Sequence, residues 1–104
     1  MEIRILEIAH LEFKEAKEFC EIEQSGLGSK FENKIEQSLL HIKQFPQAWP
    51  PERKEIRKYL VNKFPYKIIY SIQDDKIVIL AFAHLHRKPD YWVDRLKLKF
   101  KQGN

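Results

Sequence analysis

The pattern of this sequence predicts an α+β domain in which two helices, paired as a hairpin, pack on one face of a mostly antiparallel four-stranded sheet. Three observations carry that expectation. Apolar residues recur at steps of three and four through the first half of the chain. They recur at steps of two through much of the second half. A proline-rich stretch, Pro46-Gln47-Ala48-Trp49-Pro50-Pro51, separates the two regimes. The predicted order is β-α-α-β-β-β-α, and 104 residues fit one domain over residues 1–104.

Each element has its own reason. Glu2 to Ile8 alternates weakly, with Ile3 and Ile5 on one face, and reads as a short strand. From Ala9 the spacing becomes helical: Ala9, Phe13, Ala16 and Cys20 form a stripe that Phe19 widens, and Glu12, Lys14, Glu15, Lys17, Glu18 and Glu21 fill the other face. This helix is expected to end near Ser25, at Gly26-Leu27-Gly28. Ser29 and Glu32 match a capping box for a second helix, whose stripe is Leu27, Phe31, Ile35, Leu39 and Ile42, broadened by Leu40. So short a connection predicts an antiparallel helix pair. Pro46 ends the second helix, and Trp49 is expected to cap the edge of the core.

Glu55 to Val61 reads as the second strand, with Ile56 and Leu60 on one side and Arg57 and Tyr59 on the other. Lys58 falls on the apolar side, where its long stem can carry the charge out to water. Tyr66 to Ile72 is the third strand, and Gln73-Asp74-Asp75 a hairpin turn. The fourth strand, Lys76 to about His84, is apolar on both faces and should therefore be central. Pro89 and Asp90 suit the first turn of a short C-terminal helix carrying Tyr91, Trp92 and Arg95. A tail follows that alternates basic and apolar residues from Lys97 to Lys101. The sheet face away from the helices is expected to be partly open and to carry basic side chains.

Composition narrows the function classes. A hydrophobic fraction of 43% beside 33% charged residues is a globular balance, not a disordered one. Cys20 is the single cysteine, so no intrachain disulfide can form and a reducing, cytoplasmic setting is expected. Its expected role is that of a small core hydrophobe. The N-terminal residues lack the apolar run of a secretory signal, and no segment reaches the ~18 apolar residues that span a bilayer. The charge is divided unevenly. Residues 1–52 carry 6 Lys/Arg against 10 Asp/Glu, whereas residues 53–104 carry 13 against 5. A basic half of this kind fits a polyanionic or acidic partner.

The candidate chemistry gathers in that basic half. His84 and His86 share a strand face but lack an evident third ligand, so no metal site is expected. No phosphate-binding glycine loop is present, and no cofactor is expected. What remains is Arg57, Tyr59, His84, His86, Arg87, Tyr91 and Trp92. Arginine grips phosphate with two nitrogens, aromatic rings stack on bases, and histidine moves protons near neutrality. Such a set could bind RNA or another target, or could cut RNA by activating a 2′-hydroxyl.

Two stretches then resemble the RelE/ParE toxin superfamily, and more closely its ParE-like, plasmid-stabilisation branch. One runs Ile56-Arg57-Lys58-Tyr59-Leu60 and then Phe64-Pro65-Tyr66-Lys67-Ile68-Ile69-Tyr70. The other runs from Ile79 through Ala83-His84-Leu85-His86-Arg87-Lys88-Pro89-Asp90-Tyr91-Trp92, with Arg95 beyond. Gly26-Leu27-Gly28 followed by Phe31 matches the usual turn between the helices. The similarity covers about residues 3–95. It implies a type II toxin neutralised by a cognate antitoxin, as a homodimer or as a heterotetramer with that antitoxin, and with no membrane partner. ParE-like members poison DNA gyrase, whereas RelE-like members cut messenger RNA on the ribosome without a metal. A third reading is an inactive remnant that only binds antitoxin. Arg57, His84, Arg87 and Tyr91 are the residues the resemblance and the chemistry together offer for catalysis. Arg53, Lys54, Lys58, Tyr59, His86, Lys88, Trp92 and Arg95 are those offered for target contact.

Overall fold

The computed structural model of the protein describes residues 1–53 and 55–97. The elements are β1 (Glu2–Ile5), α1 (Glu7–Glu23), α2 (Leu27–Gln44), β2 (Pro51–Arg53), β3 (Ile56–Leu60), β4 (Tyr66–Gln73) and β5 (Lys76–His84). The sheet has five strands in the order β1-β5-β4-β3-β2, one more than the sequence suggested. The additional strand is β2, three exposed residues that begin at Pro51 and lie at an edge. A proline is tolerated there because the outer side of an edge strand needs no ladder donor. All pairings are antiparallel except β1 with β5, where Ile3 aligns with Ile77 and Ile5 with Ile79. The helical hairpin carries the chain from β1 to the opposite edge at β2, and β3, β4 and β5 then return across the sheet to set β5 parallel beside β1.

The hairpin closes through an acid rather than through the expected capping box. Helix α2 begins at Leu27, and Gly26 precedes it with a left-handed φ of 87° that costs a glycine nothing. Glu21, at the end of α1, accepts hydrogen bonds from the backbone N–H groups of Gly26 and Gly28, each at 3.0 Å. These bonds hold its carboxyl below the usual carboxylate range. Gly28 sits where the helices touch: a Cβ there would lie 3.0 Å from the Lys17 carbonyl oxygen. Lys17 and Glu32 then pair across the two helices.

The helices cover one sheet face. Phe13 meets Phe82 at 5.8 Å, Phe31 meets Tyr66 at 5.1 Å, and His41 Nδ1 lies 3.1 Å from the Tyr59 hydroxyl. Ile3, Ile77, Ile79, Ile68 and Tyr70 share that face by register. A bulge between Ile69 and Tyr70 of the ladder leaves Leu80 unmatched, so Ile77 and Ile79 lie on the same face as Phe82 and His84. Simple alternation would have put them on opposite faces. Phe19 and Leu40, assigned to apolar stripes from spacing, are instead mostly exposed.

The far face is not open, contrary to expectation. Ile56, Ile69, Ser71, Ala81 and Ala83 are all buried there. Residues 88–97 run across it. At one end Asp90 accepts from Arg53 of β2 at 3.3 Å. At the other, Arg95 donates to the carbonyl of Leu80 in β5 at 3.1 Å. Trp92, between these anchors, is 2% exposed. Residues 89–94 of this segment are turns closed by bonds to the third residue back, among them Val93 to Asp90, and helical backbone begins only at Arg95. The expected helix does not start at Pro89, because Asp90 takes a left-handed φ of 65°. The tail from Leu98 onward, and Lys54, lie outside the described residues.

Three buried or half-buried tyrosines make a prediction. Burial of Tyr66, Tyr70 and Tyr91 disfavours the phenolate, so each hydroxyl ionises above its ordinary value of 10. Above pH 10 the unfolded chain therefore releases protons that the folded chain retains. Stability is full below pH 10 and falls as pH rises beyond it. Urea midpoints between pH 8 and pH 11 should decline only above 10. Tyr91→Phe should flatten that decline while costing about 1 kcal/mol at neutral pH through the lost hydrogen bond.

Candidate functional site

The expected constellation does not converge. Arg57 pairs with Tyr70 on β4, whereas His84 pairs with Tyr66. Four residues along the strand and two strand spacings separate Arg57 from His84 by roughly 17 Å of backbone. Arg57 also faces the helical side, where its Nη1 donates to the carbonyl oxygens of Gln47 and Trp49. Its Nε is buried without a partner. The guanidinium thus clamps the proline-rich loop. Tyr59 joins the same corner, with Trp49 at 4.6 Å and His41 at 6.0 Å between ring centroids. Arg57→Ala should lower stability by about 2 kcal/mol through the loss of charged hydrogen bonds to backbone. Chemical denaturation followed by tryptophan fluorescence tests this, and an unchanged midpoint would refute the clamp.

At the opposite corner, His84, His86, Arg87 and Tyr91 do come together. The His86 backbone N–H donates to His84 Nδ1 at 3.0 Å, which leaves Nε2 to carry the proton of a neutral ring. The rings of His84 and His86 lie 5.1 Å apart, and Tyr66 meets His84 edge-on at the same distance. The Arg87 guanidinium stands 3.9 Å above the Tyr91 ring. Tyr91 itself is committed elsewhere. Its hydroxyl donates to Glu12 Oε2 at 2.7 Å, and burial together with that bond raises its ionisation.

Arg95 and Trp92 were offered for target contact, but both are buried. Arg95 donates to both oxygens of Glu12, at 2.7 and 2.9 Å. Burial works against the charge on Arg95, but the Glu12 hydrogen bonds and charge outweigh it and raise its ionisation. Glu12 also accepts from the Phe82 backbone N–H at 3.1 Å. Strand β1 ends at Ile5, its last ladder contact continuing as Leu6 N–H to Ile79 O. Beyond that point, among the described residues, no strand lies beside the β5 edge. Glu12 satisfies the donor at Phe82, and Arg95 the acceptor at Leu80. Sequence spacing put Glu12 on the solvated face of its helix. Only the ending of β1 makes it indispensable.

Lys58 reaches Glu52 at 3.0 Å, and Arg53 reaches Asp90. Lys88 and His86 are exposed. Among the described residues no three His, Cys, Asp or Glu side chains are grouped to hold a metal ion.

What the geometry does build is a groove. One part, of about 590 Å³, lies between the helical hairpin and the turn from β3 to β4. It is lined by Cys20, Leu27, Phe64 and Tyr66 and by three lysines, Lys30, Lys34 and Lys63, against one acid, Glu23. Burial raises the Cys20 thiol above its ordinary value, as befits a core side chain. A second part, of about 320 Å³, is lined by Glu12, Glu15, Phe82 and Arg87. Phe19, Tyr66 and His84 line both parts and join them. Sequence reasoning did not find this groove. The one signal available was Phe19, an aromatic at the margin of a helical stripe.

The α+β domain thus carries a partly apolar trench with Lys30, Lys34 and Lys63 along it, beside a histidine–arginine corner. A family model for the ParE toxin of the type II toxin-antitoxin system, parDE, matches residues 3–91, and the chain belongs to that family. It is a type II toxin of ParE type, and the RelE-like alternative is not favoured. Among solved structures, one described as the chromosomal ParDE TA system from P. aeruginosa shares the fold, with a TM-score of 0.60 and 13% sequence identity. The alignment covers 81% of this chain and 95% of that one. No curated protein matches the sequence. No helix among the described residues is long and apolar enough to cross a membrane.

Proposed function

We propose that this ParE-type toxin acts by binding rather than by cutting RNA, in the cytoplasm, and that a cognate antitoxin silences it by occupying the groove. One observation carries the first half of that reading: the groups a metal-free ribonuclease needs are apart or engaged. Arg57 clamps a loop on the far corner, Tyr91 is bonded to Glu12, and Arg95 is paired inside the fold. His84, His86 and Arg87 stay together at their own corner, with Lys88 exposed beside them, but Arg57, Tyr91 and Arg95 are withdrawn from that group. The resemblance to ParE-like members makes DNA gyrase the target to test first. For the antitoxin, a groove lined by apolar side chains and three lysines fits an acidic, amphipathic segment.

Induction of the protein in a bacterium lacking the antitoxin separates the readings. Gyrase-linked DNA damage with intact messages is expected. Rapid cleavage of messenger RNA at ribosome positions would replace this mechanism with the ribonuclease one. Unimpaired growth would mark an inactive remnant. Lys30→Glu together with Lys34→Glu should weaken antitoxin rescue while leaving growth inhibition in place.

A further inference from the structure

We propose that β1 is a self-complementary edge, through which two copies of this chain join their sheets antiparallel about a twofold axis at Ile3. Among the described residues, strand β1 lies at the sheet edge and pairs with β5 on one side only. Its four residues include no proline and no bulge, and its two charges, Glu2 and Arg4, are of opposite sign, so they keep off other edges but can complement a second copy of the same edge. The bond from Leu6 N–H to Ile79 O sets the parity of the ladder. Even-numbered residues turn their backbone groups toward β5, so Ile3 and Ile5 present theirs outward.

That parity restricts how a second β1 can dock. Antiparallel pairing must place odd residues opposite odd residues. With Ile3 facing Ile5 of the second copy, Arg4 would oppose Arg4. With Ile3 facing Met1, Glu2 would oppose Glu2. Like charges directly opposite are destabilising. The remaining register sets Ile3 opposite Ile3, and there Glu2 of each copy opposes Arg4 of the other. These two pairs occupy the positions without backbone bonds, where side chains approach most closely. Met1 then faces Ile5, and these two apolar side chains are 45% and 39% exposed in the single chain. Within one copy Glu2 and Arg4 already bond each other at 3.0 Å along the strand. Both are exposed, so exchanging that pair for one across the axis requires no desolvation of a buried group.

Sedimentation equilibrium on the full chain tests the proposal. The wild type should be dimeric at concentrations on the order of 100 µM and should dissociate on dilution. Glu2→Arg puts arginine opposite arginine, and Arg4→Glu puts glutamate opposite glutamate. Each alone should weaken the dimer roughly tenfold or more. Mixed in equal amounts, the two variants should form a heterodimer, because each Arg then faces a Glu. The double variant Glu2→Arg/Arg4→Glu should recover the wild-type constant. Unchanged circular dichroism guards against unfolding as the cause. A wild type that stays monomeric toward 1 mM overturns the proposal. So does a dimer insensitive to both single substitutions, or a mixture that fails to associate.

Discussion

Arg95→Ala is expected to lower the stability of the protein by about 3 kcal/mol or more, although Arg95 belongs to a stretch that sequence alone marks for surface recognition. The side chains of Arg95 and Glu12 are only 10% and 11% exposed. Removing one partner of a buried pair leaves an uncompensated charge, a loss of about 3–5 kcal/mol. Here the loss extends further. Arg95 donates to the Leu80 carbonyl at the unpaired part of β5, and its guanidinium lies 4.9 Å from the Tyr91 ring. For a chain of this size the melting temperature should fall by at least roughly 12 °C. Glu12→Leu combined with Arg95→Met should recover part of that loss, because an apolar pair avoids the stranded charge. Recovery should stay incomplete, since the Phe82 N–H and the Tyr91 hydroxyl would lose their acceptor. A shift in melting temperature of less than about 3 °C for Arg95→Ala would show the pair to be incidental.

Phe31→Ala should be as damaging, at about 3–5 kcal/mol. Phe31 is fully buried and sits at a crossing of aromatic rings: Phe13 at 5.9 Å, Phe64 at 5.2 Å and Tyr66 at 5.1 Å. It therefore ties α2 to α1, to the turn after β3 and to the start of β4. Phe64 and Tyr66 are also walls of the large groove, so the cavity left by the missing ring should loosen the groove itself. Antitoxin affinity should drop more for Phe31→Ala than for Ile42→Ala: both are fully buried and neither lines the groove, but Phe31 packs its ring on the groove residues Phe64 and Tyr66. Equal losses for the two variants would mean that only global stability matters.

The elements were legible because amphipathic periods write themselves into single segments. Phe31, Ile35 and Ile42 lie on one buried face of α2, as their spacing required. The turn at Asp74-Asp75 was visible too. Both residues adopt left-handed φ, the geometry that a two-residue hairpin demands and aspartate tolerates. The site was less legible, because its logic is nonlocal. Nothing near Glu12 in sequence reveals that β1 stops opposite Ile79, or that a carboxylate must therefore serve Phe82. Nothing in residues 88–97 reveals that Asp90 turns left-handed and sends Trp92 across the sheet. The bulge at Leu80 likewise moved Ile77 and Ile79 to the face that alternation denied them. Basic and aromatic residues looked like one cluster in the sequence. The sheet divides them between two corners.

The parallel pairing of β1 with β5 also governs the order in which the molecule can be built. Strands β3, β4 and β5 follow one another through short turns and can zip together as they emerge. Ile3, by contrast, has no ladder until Ile77 has been made. At ordinary rates of synthesis that interval lasts roughly 4–15 s. Throughout it the first strand trails from a forming helix pair with its isoleucines uncovered. A nascent-chain chaperone would find its clearest target in that interval, on the isoleucines of β1.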